Sequence, residues 1–241
     1  WVVSNVTNMK GMFERSTFNR DISEWNVNRV TSMCGMFKDS KFNNYVGGWD
    51  ISNATDTSHM FSWSLFNQDI SDWDVSKVTD MTSMFERSIF NGDISRWIVS
   101  QVTSMNGMFN SSKFNGCIGG WDTSKVSDTS DMFSWSPFNQ DISDWDISEV
   151  KDMSSMFFKC PFDKNIDKWN TSKVEDMSFM FHKSGFTKHI KEWNVSNVIN
   201  MENMFYKCKR DEHLDISKWK INNEANLTNM IAEHEKFGVT V

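Results

Sequence analysis

Apolar and polar residues follow one another along this chain in a register of 24 positions that hardly slips from one end to the other. Trp1, Trp25, Trp49, Trp73, Trp97, Trp121, Trp145, Trp169 and Trp193 lie 24 residues apart, and Trp219 follows after 26. With each lattice Trp counted as position 1, residues 73–96 (WDVSKVTDMTSMFERSIFNGDISR) serve as a type repeat, and position 12 is Met and position 13 Phe in all nine units. Within a unit, Ile22-x-x-Trp25-x-Val27 has the spacing of a short strand that turns alternate side chains inward. Val30, Met33, Met36 and Phe37 then fall at i, i+3, i+6 and i+7, one face of a short helical turn. Thr31 is placed to cap the first amides of that turn, and Ser40-x-Phe42-Asn43 reads as a corner leading to the next strand.

No single unit can bury its Trp, Met, Phe and Ile, so the units must stack, each side chain on its equivalent in the next. The expected fold is an α/β repeat solenoid, a right-handed leucine-rich-repeat-like coil with one short strand and one helical turn per 24-residue repeat. At a strand spacing of about 4.8 Å, nine turns would make a rod on the order of 45 Å long. Residues 1–216 form the nine-turn solenoid in this reading, and 217–241 a degenerate repeat with a C-terminal cap, where Leu227, Met230, Ile231 and His234 recur at helical spacing. A longer period overlies the short one. The units starting at 49 and 121 share 18 of 24 residues, including Trp63 and Trp135, so a three-turn block (1–72 and 73–144) is duplicated. The chain opens on a lattice Trp without a starting Met, which predicts that residues precede it and that its uncapped end offers a surface for assembly.

Composition changes the picture in one respect. The chain holds 17 Met, 20 Phe and 12 Trp but only 3 Leu and 3 Ala, which excludes an ordinary helical bundle. Sixteen of the 17 Met fall at positions 9 and 12, where an unbranched thioether fills gaps beside aromatic rings. A soft-metal site would need those sulfurs to converge on a point, and a ladder spreads them along an axis. Nearly every Ser is a lattice residue, the five His occupy unrelated positions, and there is no His-Glu-x-x-His, Cys-x-x-Cys or glycine-rich phosphate loop, so neither an enzyme nor a cofactor is expected. Cys34, Cys117, Cys160 and Cys208 read as free thiols. Gly47-Gly48 and Gly119-Gly120 relieve crowding or leave a notch at the strand entry. Net charge is −7, without a basic cluster, which argues against nucleic acid, and no apolar run is long enough to span a membrane. Residues 1–150 carry net −8 and residues 151–241 net +1.

Segments such as Trp73-Asp-Val-Ser-Lys-Val-Thr-Asp-Met81 and Phe138-Asn-Gln-Asp-Ile-Ser-Asp-Trp145 resemble the BspA-type leucine-rich repeat, known also from mycoplasma surface lipoproteins of unassigned function. The resemblance spans about 215 residues. It implies a non-enzymatic, surface-displayed repeat protein at a cell surface or outside the cell, in some members linked to adhesion, and carries no catalytic residues to transfer. Because such repeats also occur in large viruses, a structural role in a particle such as a viral coat, displayed on the virion surface, is an alternative. In the leucine-rich-repeat frame the outward strand residues would form the partner face for a protein or a glycan. Asp50, Asp74, Asp122 and Asp146 make an acidic column there, flanked by Asp72 and Asp144. Trp63 and Trp135, outside the lattice, are corner packing or exposed anchors for a partner. An ice-binding solenoid would use the position-7 ladder Thr7, Thr31, Thr55, Thr79 and Thr103, which decays after Ser127 into Lys151, Glu175 and Ile199.

Overall fold

A computed structural model of the chain describes residues 1–209 and 215–231. The chain winds in coils of 24 residues, numbered here from 1 and each opening on a lattice Trp, and every coil lies on the next. The apolar lattice forms one continuous core. Phe37, Phe61, Phe85, Phe109, Phe133, Phe157, Phe181 and Phe205 at position 13 are fully buried. They stack on one another at centroid spacings of 5.6–5.9 Å. In coils 1–8 the position-18 ring packs closer still, 4.0 Å for Phe109 and Phe114. The Met ladder fills the space beside these rings, with Met33, Met36, Met81, Met84, Met105 and Met108 wholly enclosed.

The backbone corrects the α/β expectation. Among the described residues there is no helix, and the coils are joined by isolated parallel bridges at position 8, from Asn8–Ser32 through to Asn200–Asn226. The reason lies in where the amides go. A helix would keep every amide of positions 9–16 within the coil. Here the even ones stay: Met12 N–H donates to the Met9 carbonyl, Glu14 to Gly11, and Ser16 to Phe13. The odd ones leave: the amides of Met9, Gly11, Phe13 and Arg15 donate to the carbonyls of Ser32, Cys34, Met36 and Lys38 in the next coil. The same division recurs in successive coils. Three tight turns in succession replace the helical turn, and two of them need a left-handed residue in their third place. Those residues are positions 11 and 15, which have positive φ in all nine coils.

The predicted strand fails for a different reason. Ile22, Val27 and Trp49 are buried as their spacing implied. Their backbone, however, turns rather than pairs: the Trp25 amide donates to the Ile22 carbonyl and the Val30 amide to the Val27 carbonyl. Side chains supply the links between coils on this side. The Trp49 indole N–H reaches back 27 residues to the Ile22 carbonyl at 3.1 Å, and its equivalents repeat the bond up to Trp219. At position 19, Asn19, Asn43, Asn67, Asn91, Asn115 and Asn139 each accept the amide of their successor. Asp163 carries the ladder on to Thr187. Asn91→Ala, which leaves the Asn115 amide without its acceptor, should cost about 1 kcal/mol, a fall of roughly 2–4 °C in Tm by calorimetry. Asn91→Asp should cost less, since a carboxylate already serves at Asp163.

The C-terminal expectation also changes. Leu227, Met230 and Ile231 are not helical: Asn226, Thr228 and Met230 accept the amides of Met201, Asn203 and Phe205, so residues 226–230 continue the stack as part of a tenth coil. His234 lies outside the described residues.

Candidate binding face

The acidic column proves to be a set of corner residues. Each of Asp50, Asp74, Asp122 and Asp146 accepts the backbone amide of the Ser two residues on, at 3.1, 3.0, 3.1 and 2.9 Å. These are Asx turns, by which a short carboxylate bends its own backbone. The hydroxyl and amide of that Ser hold the Asp74 and Asp122 carboxyls below the usual carboxylate range. Asp72 and Asp144 are exposed beside them. At position 7 the hydroxyls of Thr31, Thr55, Thr79 and Thr103 donate to the carbonyl one coil back, so that ladder is engaged in holding the stack.

Trp63 and Trp135 lie elsewhere on the coil, at position 15, and are about half exposed, 48% and 55%. Both have left-handed φ, 59° and 57°, a conformation uncommon for a bulky residue. The turns that send amides 9, 11, 13 and 15 to the next coil thus present positions 11, 14 and 15 on an edge of their own. A cation from the next coil covers each indole: the Arg87 guanidinium sits 4.1 Å from the Trp63 ring centroid, and Lys159 Nζ 3.5 Å from that of Trp135. The two Trp are therefore both packed and accessible, and the acidic column does not join them.

Beside Trp135 the surface opens into a groove of about 820 Å³. Its origin is readable in the register. Position 15 is Arg87 in coil 4, Ser111 in coil 5 and Trp135 in coil 6, and position 11 of coil 5 is Gly107, so two large side chains flank a coil with small ones. Asn110, Asp131, Ser134, Ser155, Phe158 and Phe179 complete the lining. Burial raises the Asp131 carboxyl above its ordinary range, against an opposing hydrogen bond from Ser134. Toward the C-terminus the groove runs into an aromatic ribbon. Phe158 stacks on His182 at 4.8 Å, His182 on Tyr206 at 5.2 Å, and Phe179 meets His182 at 5.6 Å. Burial and the Lys183 and Lys159 ammoniums push the His182 imidazole below its usual range, which keeps it a neutral ring in the stack.

These residues escaped a reading that followed the strand face. Their signal was in the register: positions 11, 14 and 15 change from unit to unit, running Gly, Gly, His, Ser, Gly, Asp, Ser, Phe, Asn at position 11 alone. The cysteines add no chemistry here. Cys34, Cys117 and Cys160 are free thiols, and burial pushes that of Cys160 up to about 12. Among the described residues no group of three His, Cys, Asp or Glu side chains is placed to hold a metal ion, and no helix is long and apolar enough to cross a membrane.

No curated protein and no solved structure matches the chain. A protein-family model does, in three overlapping segments, residues 1–88, 46–140 and 135–241. Together the three matches run the length of the chain, in keeping with its repeats and with the mycoplasma side of the resemblance read from its motifs. The chain belongs to the family described as "Mycoplasma protein of unknown function, DUF285".

Proposed function

We propose that this protein is a non-enzymatic binding rod that holds an extended partner on its turn face, with the groove at Trp135 as the anchoring point. The observation that carries the reading is a coincidence of place. One edge, whose residues change from coil to coil, holds the open groove, both half-exposed Trp and the aromatic ribbon together. Stacked coils suit the task because they hold many side chains in a fixed row, and extended surfaces are what such arrays offer a partner. Display at a cell surface follows from the motif resemblance and fits a rod of this kind.

The test uses the full chain against a panel of immobilised purified polysaccharides and proteins by biolayer interferometry. Trp135→Gly removes the anchor while suiting the left-handed backbone, so its thermal stability should stay within about 1 kcal/mol of the parent. Binding should fall at least tenfold, the loss of a central aromatic anchor. Asp74→Ala should bind as the parent does. Binding lost in Asp74→Ala and retained in Trp135→Gly would move the partner face to the acidic corner.

A further inference from the structure

Lys159, Lys183 and Lys207 occupy position 15 in three consecutive coils, so their side chains leave the rod in a row spaced by about 4.8 Å per coil. Like charges that close oppose one another, and the fold shows that it can do otherwise. On other edges of the same coils, opposite signs pair along the axis, at equivalent positions for Lys173 with Glu149 at 2.6 Å and Lys191 with Asp215, and one position apart for Lys188 with Asp163 at 3.0 Å. Among the described residues none of Lys159, Lys183 and Lys207 makes an ion pair. Instead, Lys159 Nζ lies 3.5 Å from the Trp135 centroid and 5.3 Å from that of Phe158, and Lys207 Nζ lies 5.2 Å from that of Tyr206. Burial and the neighbouring Lys183 press the Lys159 ammonium below its ordinary range.

We infer that the ligand of this face is an acidic glycan lying along the rod axis, with its carboxylate or sulfate groups over Lys159, Lys183 and Lys207. The inference rests on the reading of the turn face as the binding surface. Two halves of the site argue for a sugar chain. The rings of Phe158, His182 and Tyr206 stack face to face along the axis and leave the edges of Phe158 and Tyr206 beside the cations, an apolar strip against which the C–H groups of a sugar pack. At the other end the groove offers Arg87, Asn110, Ser111 and Asp131, planar and hydroxyl groups of the kind that exchange hydrogen bonds with sugar hydroxyls. One coil advances the cations by close to the length of one sugar in an extended chain. Single-stranded nucleic acid also combines flat rings with anions, but three aligned cations on a chain of net charge −7 give it little electrostatic hold.

Isothermal titration calorimetry of the full chain tests this with four probes: a heparin octasaccharide, an oligogalacturonate, an uncharged maltooligosaccharide of matching length, and (dT)8. The two acidic glycans should bind. Their affinity should fall with salt at a log–log slope of about −2, as for three neutralised cations. Lys183→Gln with Lys207→Gln should weaken them tenfold or more and flatten the slope, without moving the thermal unfolding midpoint. Equal binding of the maltooligosaccharide, or unchanged binding by the double variant, overturns the acidic assignment, and a persisting loss in Trp135→Gly then leaves the groove reading in place. Tighter binding of (dT)8 than of either glycan overturns it in favour of nucleic acid. Failure of both acidic glycans to bind also overturns it, and glycan binding indifferent to both the lysine and the Trp135 substitutions overturns the two readings together.

Discussion

Phe109→Ala is expected to remove about 3–5 kcal/mol of stability, the range for a fully enclosed aromatic side chain. Phe109 has no exposed surface. Its ring lies between Phe85 at 5.8 Å and Phe133 at 5.9 Å, with Phe114 at 4.0 Å in its own coil. The cost belongs at the upper end because the cavity cannot collapse. The coil's backbone is tied on both sides, with the Phe85 amide on the Met108 carbonyl and the Phe109 amide on the Met132 carbonyl. A second effect follows from the stacked design. Each coil touches only its neighbours, so a weak coil in the middle uncouples the parts on either side of it. Scanning calorimetry should therefore resolve the single transition of the parent into two in the variant. One transition at the parental temperature would show that the column of rings does not carry the load assigned to it.

Gly119→Ala is expected to cost about 3 kcal/mol, and Gly120→Ala, one residue away, less than about 0.5 kcal/mol. A Cβ on Gly119 would lie well inside van der Waals contact of the Asp141 carbonyl oxygen in the next coil, whereas one on Gly120 meets nothing within 4 Å. The obstacle is backbone, so relief requires the two coils to move apart, against the hydrogen bonds that join them. Gly47 faces the Asp69 carbonyl in the same way. The sequence explains why these two coils alone take this route. In coils 1 and 4, Asp21 and Asp93 bend the corner by accepting the amides of Ser23 and Ser95. Coils 2 and 5 have Tyr45 and Cys117 at that place, and the glycine pair makes the corner instead. Urea unfolding of the two variants side by side checks the argument, since equal midpoints would remove close approach as the reason for the glycine.

The core was legible in the sequence because burial depends on spacing: from Phe37 to Phe205 the lattice rings and thioethers are enclosed where the register placed them, while Trp1 and Met12 in the first coil stay exposed. The hydrogen bonding was not. Val30, Met33, Met36 and Phe37 have helical spacing, and an inward side chain every three or four residues suits three successive tight turns equally well. The deciding fact was the left-handed φ at positions 11 and 15. Gly11, Gly35 and Gly107 hint at it, but Trp63, Arg87 and Trp135 take the same conformation without any glycine to announce it. The candidate face followed the backbone into concealment. The strand frame pointed outward at Asp74 and Asp146, which hold corners, whereas Trp63 and Trp135, singled out for breaking the lattice, do lie on the exposed edge. Their partners Arg87, Lys159 and Phe158 come from the adjoining coil, a neighbourhood that only the stacking reveals.

The division of amides between even and odd positions bears on how such a chain can change length. Each junction from coil 1 through coil 9 presents the same donors, at positions 9, 11, 13 and 15, to the same acceptors, at 8, 10, 12 and 14. Any coil can therefore follow any other without a mismatch in the backbone, whatever it carries at positions 11, 14 and 15. Recombination between near-identical units, such as those starting at 49 and 121, would add or delete whole coils, three of them or 72 residues at a time for that pair. The gene can thus shuffle or multiply its variable edge while the scaffold beneath it stays the same, and a groove made by one small coil between two large ones can be created or erased by copy number alone.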